Sequence, residues 1–325
     1  MAHFPAHASN ATWHTRVRSD GGTSLHLHLD MGMSENQSHP SDYWGIPYNI
    51  VDGTSATTLW PAVSFNSTDP HDGNIGWPDE SDCAIVAGGG FALHSGCQAI
   101  ASPRFPFPLD ANLKIEGGVC NVQNGSCSPG DSHVLVLETG QCRLWESYYT
   151  YKGASGWHAS AIAAWDLNSM TMRPDGWTSA DAAGLPIMPL LLKADEANTG
   201  AINHALRVTF NGVANAYVWP ASHRAGSGST ANVPFGAILR LRADFVIPSN
   251  WTTQSKAIAK AMQTYGLYVA DIGSDMYVQG EPSAKWDSNT FTQLQTLTFD
   301  KFEFVNMGTI TSDPRFSSRS YQAQW

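Results

Sequence analysis

The sequence predicts a mainly β protein: a β-sandwich or jelly-roll-like body with two short capping helices and long loops. Segments of alternating or β-branched apolar residues recur along the chain, and clusters of Gly, Pro, Asn and Ser separate them. Charged residues make up only 14% of the 325 residues, against roughly 25% in an average soluble domain. Such a neutral, polar composition is typical of extracellular β-proteins.

We expect one compact domain over residues 1–325. Residues 1–82 are rich in Gly, Ser, His, Asn and Pro and contain only short apolar alternations, which predicts an extended N-terminal arm packed on the body. Residues 83–130 are interrupted repeatedly by glycines and prolines, which predicts a loop region pinned by disulfides.

The cysteines of this loop region are spaced for two local disulfides, Cys83 with Cys97 and Cys120 with Cys127. Cys142 is then left over, or it pairs elsewhere while another thiol stays free. Zinc is the competing interpretation, but no CxxC pair occurs. Disulfides favour an oxidising compartment, so they predict a secreted protein, although no signal peptide is visible at Met1.

The clearest local pattern is a three-stranded meander. Residues 133–138 are a β-branched run, and residues 142–151 and 157–166 are two further predicted strands on either side of a turn at 153–156. Successive side chains of a strand point to opposite faces. One face of the second strand therefore carries Cys142, Leu144, Glu146 and Tyr148, and the other carries Arg143, Trp145, Ser147 and Tyr149.

Two helices are predicted. The first opens at Thr178 with Asp181 in a capping-box-like position and continues through residues 185–197. The second covers residues 253–265 and ends at Gly266. Further strands are predicted at residues 204–210, 216–219, 238–245 and 267–271.

Charge and motifs exclude several classes of function. The formal net charge is −10, and the 18 Lys and Arg residues form no cluster, which argues against nucleic acid and anionic membranes as partners. No run of about 18 apolar residues predicts a membrane span. P-loop, HExxH and GxGxxG motifs are absent, so no nucleotide or other cofactor is expected.

Several motifs resemble an uncharacterised family of secreted bacterial proteins, mostly from soil organisms. The motifs are GDSHVLVL at 130–137, LWE at 144–146, GWTSADAAGLP at 176–186, HALR at 204–207, YVWPASH at 217–223 and YGLYVAD at 265–271. The resemblance runs from about Tyr48 to Phe304 and implies secretion, but it brings no activity with it. The cysteine-bearing segment 83–127 and the N-terminal arm depart from the family pattern.

The strongest chemical candidate is a pair of carboxyl groups. Glycoside hydrolysis needs two carboxyls that face one gap. If the meander turns near Ala154, Glu146 lies opposite Ala164 or close to it, and Asp166 is a diagonal neighbour on the same face. The alternative is a polar pair on a solvated face, and a shift of one residue in the register would place the two on opposite faces.

Histidines and one arginine are candidate assisting groups. His133 follows Asp131 at the start of a strand and is a candidate base, or it satisfies backbone groups in a loop. His204, Arg207 and His223 form a second polar cluster, in which Arg207 would neutralise a uronate for a lyase. Cross-strand hydrogen bonding is the alternative for these residues.

Other polar residues carry weaker hypotheses. His26, His28 and Asp30 have the one-face spacing of metal ligands on a strand, but His is abundant here, and no metal is assigned. Asp181 is expected to be buried at the start of the first helix, where its charge meets the helix dipole. Glu196 is expected near the end of that helix, and Asp271 closes an apolar strand.

The leading functional hypothesis is a secreted glycoside hydrolase that acts on a polysaccharide or oligosaccharide through Glu146, Asp166 and His133. Trp is abundant, with 12 residues, and flat aromatic rings match sugar faces. The alternatives are a polysaccharide lyase that uses His and Arg, and a non-catalytic carbohydrate-binding or cell-surface protein. The candidate substrate-binding residues are Trp145, Trp157, Trp165, His204, Arg207, Trp219 and His223.

Overall fold

The predicted mainly β fold is confirmed by a computed structural model, which describes residues 9–21, 24–39, 41–65, 76–109, 112–118, 130–308, 312, 316–317 and 322–323. The helices are α1 (Ala11–Gly21), α2 (Ala194–Thr199), α3 (Thr253–Thr264) and α4 (Ser288–Leu294). The strands are β1 (His28–Asp30), β2 (Tyr48–Val51), β3 (Val63–Ser64), β4 (Asp82–Ala87), β5 (Gly90–Ser95), β6 (Val134–Glu138), β7 (Arg143–Tyr148), β8 (Tyr151–Gly153), β9 (Gly156–His158), β10 (Ala161–Asp166), β11 (Leu206–Phe210), β12 (Ile238–Leu241), β13 (Leu267–Ile272), β14 (Tyr277–Gln279), β15 (Phe302–Phe304), β16 (Phe316–Ser317) and β17 (Gln322–Ala323).

The larger sheet, sheet I, has six strands in the order β1-β14-β11-β13-β12-β15. Its apolar face carries Leu206 and Val208 of β11, and Ile258 and Met262 of α3 pack against that face in the largest hydrophobic cluster. The predicted helix at 253–265 is therefore confirmed within a residue. Its N-cap is Thr252, whose hydroxyl accepts the backbone N–H of Ser255 at 3.0 Å.

The smaller sheet, sheet II, has four strands in the order β10-β7-β6-β2. The order β6, β7, β10 is the predicted antiparallel meander. β8 and β9 form a hairpin in which Gly153 lies opposite Gly156, and they belong with β3 to a separate three-stranded sheet. The fourth strand of sheet II, β2, pairs with β6 in parallel, and no local sequence pattern predicts this pairing. One face of sheet II packs Val134, Val136 and Trp145 into a second hydrophobic cluster.

Residues 178–191 lie between the two sheets, and the helix predicted to begin at Thr178 is absent. The N–H of Ala183 donates to the carbonyl of Ala270 in sheet I at 3.1 Å, whereas Ala180 and Ile187 pack against Leu135 of sheet II. Helical structure starts only with a 3-10 turn at Met188–Leu190 and with α2. Glu196 consequently lies in the first turn of α2, where a carboxylate is favourable, and not near a helix end as expected.

The N-terminal part of the chain contains more regular secondary structure than the predicted arm and loop region. The arm contributes β1 to sheet I and β2 to sheet II, and it contains the unpredicted helix α1. In the predicted loop region, β4 and β5 form an antiparallel hairpin whose turn glycines, Gly88 and Gly89, have φ of 57° and 82°. Two successive positive φ angles give the turn that suits the twist of a two-residue hairpin.

One of the two expected disulfides is present, between Cys83 and Cys97, and Cys142 is a free, exposed cysteine. Cys120 and Cys127 lie outside the described residues. No helix in the described ranges is both long and apolar enough to cross a membrane.

Candidate functional site

A cleft of about 250 Å³ opens where sheet I, sheet II and the segment 178–191 meet. Sheet II supplies Tyr148 and the residues that lead into β6, and sheet I supplies the end of β13. Aromatic and titratable side chains dominate the lining, which consists of Trp77, Asp131, His133, Tyr148, Thr178, Ser179, Ala180, Asp181, Ala182, His223, Ala225, Asp271 and Ile272.

Asp131 lies at the rim, at a point where the backbone is strained. The next residue, Ser132, has a φ of 49°, and Tyr149, whose N–H donates to the carbonyl of Asp131 at 2.7 Å, has a φ of 53°. Left-handed conformations of non-glycine residues cost energy and concentrate at functional sites. The side chain of Asp131 keeps access to solvent. Loss of hydration inside the cleft and the charge of Glu116 raise its pKa, although His133 opposes this.

His133 is a buried cation and not the base that the sequence predicted. Its Nδ1 lies 2.7 Å from the carboxylate of Glu116, and its Nε2 lies 2.9 Å from the carbonyl oxygen of Ala180. Both partners are acceptors, so both ring nitrogens carry protons. Burial alone would lower the pKa of His133, but Glu116 and Asp131 raise it to about 9. His133 therefore fixes a positive charge in the wall of the cleft.

Asp181 and Arg207 form a second buried charge pair. Nη2 of Arg207 donates to Oδ1 of Asp181, and neither side chain has exposed surface. The other carboxylate oxygen of Asp181 accepts the N–H groups of Ala183 and Leu185 at 3.2 and 3.3 Å. The segment 178–191 therefore wraps around this carboxylate. Burial raises the pKa of Asp181, against the opposing charge of Arg207.

Arg207 was predicted to bind substrate, but its guanidinium is fully buried and does not line the cleft. Nε and Nη1 of Arg207 have no hydrogen-bond partner among the described residues. Its charge instead reaches Asp271, whose Oδ2 lies 3.5 Å from Nη2. Arg207 is therefore a positioning residue that holds Asp181 and Asp271 from outside the cleft.

Asp271 reaches the cleft from the end of β13. Its side chain is 15% exposed, and Oδ1 accepts the N–H of Ile272 at 2.8 Å. Burial raises the pKa of Asp271 to about 6, the negative charge of Asp131 acts in the same direction, and Arg207 opposes both. A carboxyl group with this pKa carries a proton part of the time near neutral pH, as a general acid requires.

His223, one of the predicted substrate-binding residues, belongs to the lining of the cleft. Its Nδ1 lies 3.0 Å from the carbonyl oxygen of Ala182, an acceptor, so Nδ1 carries the proton and Nε2 has a free lone pair. The ring is half-buried and lines the cleft. Its Nε2 can therefore accept a hydrogen bond from a bound molecule.

The expectation that Glu146 and Asp166 share a face is wrong. Glu146 pairs with Ala163, and Asp166 pairs with Arg143 across β7 and β10. Ala163 and Asp166 are an odd number of residues apart, so Glu146 and Asp166 point to opposite faces. Asp166 is exposed and caps a turn by accepting the N–H of Asn168 at 2.9 Å.

Glu146 anchors the segment between the sheets. Its side chain is fully buried. Oε1 accepts the N–H groups of Ile187 and Met188 at 2.9 and 2.8 Å, and Oε2 accepts Nε1–H of Trp165 at 3.0 Å. Burial raises the pKa of Glu146 to about 7. With its oxygens bonded to protein donors and no exposed surface, Glu146 has a structural role.

The four tryptophans predicted to bind sugar do not line the cleft. Trp145 and Trp165 are 0% and 7% exposed and belong to the cores of the two faces of sheet II. Trp157 lines a separate cavity, and Trp219 packs beside the cluster around Ile238. The aromatic walls come instead from Trp77, which sequence reasoning missed, and from Tyr148.

His204 also lies outside the cleft lining. Its Nε2 is 2.8 Å from a carboxylate oxygen of Glu196, and its Nδ1 is 2.7 Å from the carbonyl oxygen of Ala205. The expected cluster with Arg207 and His223 therefore does not form one site.

In the part of the chain that the structure describes, no group of three or more His, Cys, Asp or Glu side chains is arranged to hold a metal ion. The residues of the suggested metal motif have other partners. Nδ1 of His26 lies 3.0 Å from the carbonyl oxygen of Gln295, and the ring of His28 stacks on Tyr277 at 4.6 Å. Asp30 lies opposite Gln279 in the parallel pairing of β1 with β14.

The fold and this cleft define a class only in structural terms: a mainly β protein with a buried ionic cluster between two sheets. No protein-family model, curated protein or solved structure matches the chain. The functional conclusion therefore depends on the cleft itself.

Proposed function

We propose that this protein is a carbohydrate-active enzyme that hydrolyses a glycosidic bond in the cleft, with Asp271 and Asp131 as the carboxyl pair. The observation that carries the proposal is that both aspartates line one cavity and that the pKa of each is raised. Strongly perturbed carboxyls in a concave site are typical of catalytic acids and bases. The pair replaces Glu146 and Asp166, which point to opposite faces of sheet II.

The two aspartates are expected to hold different protonation states. Like charges disfavour each other, so two interacting carboxyls lose their protons in separate steps. Asp131 lies beside the imidazolium of His133, which favours its ionised form. Asp271 is therefore assigned as the general acid that protonates the leaving oxygen. Asp131 is assigned as the nucleophile or as the base that activates water.

The cleft walls suit a sugar. Trp77 and Tyr148 offer aromatic surface, which matches the apolar face of a pyranose. At about 250 Å³, the cavity is smaller than the roughly 300–1,000 Å³ of pockets for drug-sized ligands. It therefore suits one sugar unit at a time. The imidazole of His223 adds a group that can bond to a hydroxyl.

Secretion belongs to the same proposal. The Cys83–Cys97 disulfide is compatible with an oxidising compartment. A glycan-cleaving enzyme outside the cell would meet polymeric substrate there. Elimination through Arg207, the alternative mechanism, receives no support, because a fully buried guanidinium cannot contact a uronate.

The test compares Asp271→Asn and Asp131→Asn with the wild type on a panel of soluble polysaccharides. We expect hydrolysis, detected as new reducing ends, to fall by more than about 100-fold in each variant, since general acid–base groups contribute about 10²–10⁴-fold. Asp166→Asn is the matched control, because Asp166 is exposed on the other face of sheet II.

Three outcomes would count against the proposal. Full turnover in the folded Asp271→Asn variant would remove the catalytic assignment. Products that absorb as unsaturated uronates would indicate a lyase. Retention on an insoluble glycan without cleavage by the wild type would indicate a binding protein.

A further inference from the structure

A second cavity, of about 270 Å³, adjoins the cleft and is lined by Gly176, Tyr217, His223 and Arg224. His223 belongs to both linings, so the two cavities meet at this residue. A linear ligand that fills one cavity can therefore continue into the other past a single side chain. Two adjoining cavities of similar size have the form of neighbouring subsites for a repeating polymer.

The charges of the two cavities differ. The cleft carries the aspartates Asp131 and Asp271, whereas the second cavity carries the guanidinium of Arg224. Arg224 is exposed and forms no ion pair with a described residue. Asp175, the residue before Gly176 of the lining, accepts the hydroxyl of Tyr217 at 2.5 Å. Arg224 is therefore a cation that remains open to a ligand.

We propose that Arg224 recognises the carboxylate of an acidic sugar, so that the substrate is a uronic-acid-containing glycan that binds across both cavities. This inference deepens the proposed function and rests on it. An Arg guanidinium is suited to a carboxylate because its planar fork can donate two parallel hydrogen bonds. The ionised Asp131 in the cleft would repel the same carboxylate, so the two ends of the groove together orient the chain.

The overall charge of the protein does not attract an acidic glycan. Its formal net charge is −10, so an anionic polymer is repelled at long range and needs a local cation to bind. Affinity for an acidic glycan should therefore depend on Arg224 far more than on surface cations elsewhere. Arg242 is a suitable comparison, because it is exposed but is already paired with Asp244 at 2.9 Å.

The experiment measures binding by calorimetry to tetragalacturonate and tetramannuronate, with cellotetraose and mannotetraose as neutral probes, in the Asp271→Asn background to prevent turnover. We expect an acidic probe to bind more tightly than its neutral counterpart. Arg224→Gln should weaken that binding about three- to tenfold, the range for an exposed to well-formed Arg–carboxylate pair. Arg224→Lys should lose less, and Arg242→Gln should change nothing.

Equal affinities for acidic and neutral probes, no binding of either acidic probe, or unchanged affinity in Arg224→Gln would overturn the inference. The binding result is separate from the catalytic one. Acidic probes that bind through Arg224 while Asp271→Asn still cleaves polysaccharide would support Arg224 and refute the aspartate pair. Cleavage that needs both aspartates but acts on neutral glycans would do the reverse.

Discussion

Nη2 of Arg207 lies 3.5 Å from Oδ2 of Asp271, and the same nitrogen donates to Asp181. One buried cation thus joins β13 to the segment between the sheets. β11 and β13 are parallel neighbours whose register shifts between Val208 and Thr209, one residue beyond Arg207. Arg207 does not line the cleft, so in the proposed mechanism it acts only through the protonation and position of Asp181 and Asp271.

Replacing Arg207 should therefore change the pH dependence of activity. Arg207→Met removes the positive charge that opposes the raised pKa of Asp271, so that pKa should move above about 6. The high-pH limb of turnover, where the acid loses its proton, should shift to higher pH. The free energy of unfolding should fall by about 3–5 kcal/mol, as when one partner of a buried pair is removed. If Arg207→Met does not fold, Arg207→Lys keeps the charge and should show the smaller shift. An unchanged limb in a folded variant would separate Arg207 from the site.

Glu146→Gln should lower stability and leave turnover per folded molecule intact. One oxygen becomes an NH₂ group that faces backbone N–H or the indole N–H of Trp165. A lost buried hydrogen bond costs about 1–3 kcal/mol. Chemical denaturation and activity on the same samples check both parts. A folded variant with no activity would restore Glu146 as a catalytic candidate.

The raised pKa of Glu146 predicts how the free energy of unfolding depends on pH. Its folded-state pKa is raised from 4.5 to about 7, so the folded state holds the proton more tightly than the unfolded state. The stabilising effect of that proton is present below about pH 4.5 and is lost as the pH rises to about 7. The difference in unfolding free energy between wild type and Glu146→Gln should therefore narrow from acidic to neutral pH. If the difference in unfolding free energy between the two proteins widened from acidic to neutral pH, the raised pKa of Glu146 would be contradicted.

His133 should act in the opposite pH range. Its pKa is raised from 6.5 to about 9, so its contribution to stability is complete below about pH 6.5 and is lost as the pH rises through about 9. Wild type should lose on the order of 2 kcal/mol more than His133→Gln between these pH values. His39→Gln is the control, because His39 is exposed. Equal pH dependence in wild type and His133→Gln would refute the buried imidazolium.

Removal of the Cys83–Cys97 disulfide should destabilise the β4–β5 hairpin. The two cysteines are 14 residues apart, and closing a loop of that length stabilises by about 3 kcal/mol in the chain-entropy description. The Cys83→Ser/Cys97→Ser double variant should melt at a lower temperature than wild type. Cys142→Ser should melt like wild type, because Cys142 is free and exposed. Equal melting temperatures for all three proteins would assign the disulfide no role in stability.

The parts of the fold that were predictable have local causes. The alternation is confirmed within β7, over residues 143–148, because Trp145 packs into one cluster and Leu144 into another on the opposite face. The helix α3 follows from its N-cap and apolar stripe. The disulfide follows from the spacing of Cys83 and Cys97.

Long-range pairing decided what could not be predicted. The sequence placed Glu146 near Ala164, whereas the strands pair it with Ala163. A shift of one residue in the register moves a side chain to the opposite face of the sheet. Glu146 and Asp166 therefore do not form the predicted carboxyl pair. At residue 181 a helix N-terminus and a loop wrapped around a carboxylate have similar local patterns. The buried guanidinium of Arg207, 26 residues along the chain, favours the loop.

Asp131 leads into a strand of sheet II, and Asp271 ends a strand of sheet I. The distance between these two carboxyl groups therefore depends on how sheet I packs against sheet II, and not on either sheet alone. A small shift of one sheet against the other would separate the proposed catalytic pair while every strand kept its hydrogen bonds. On heating, catalysis should fail at a lower temperature than the one at which circular dichroism first records melting.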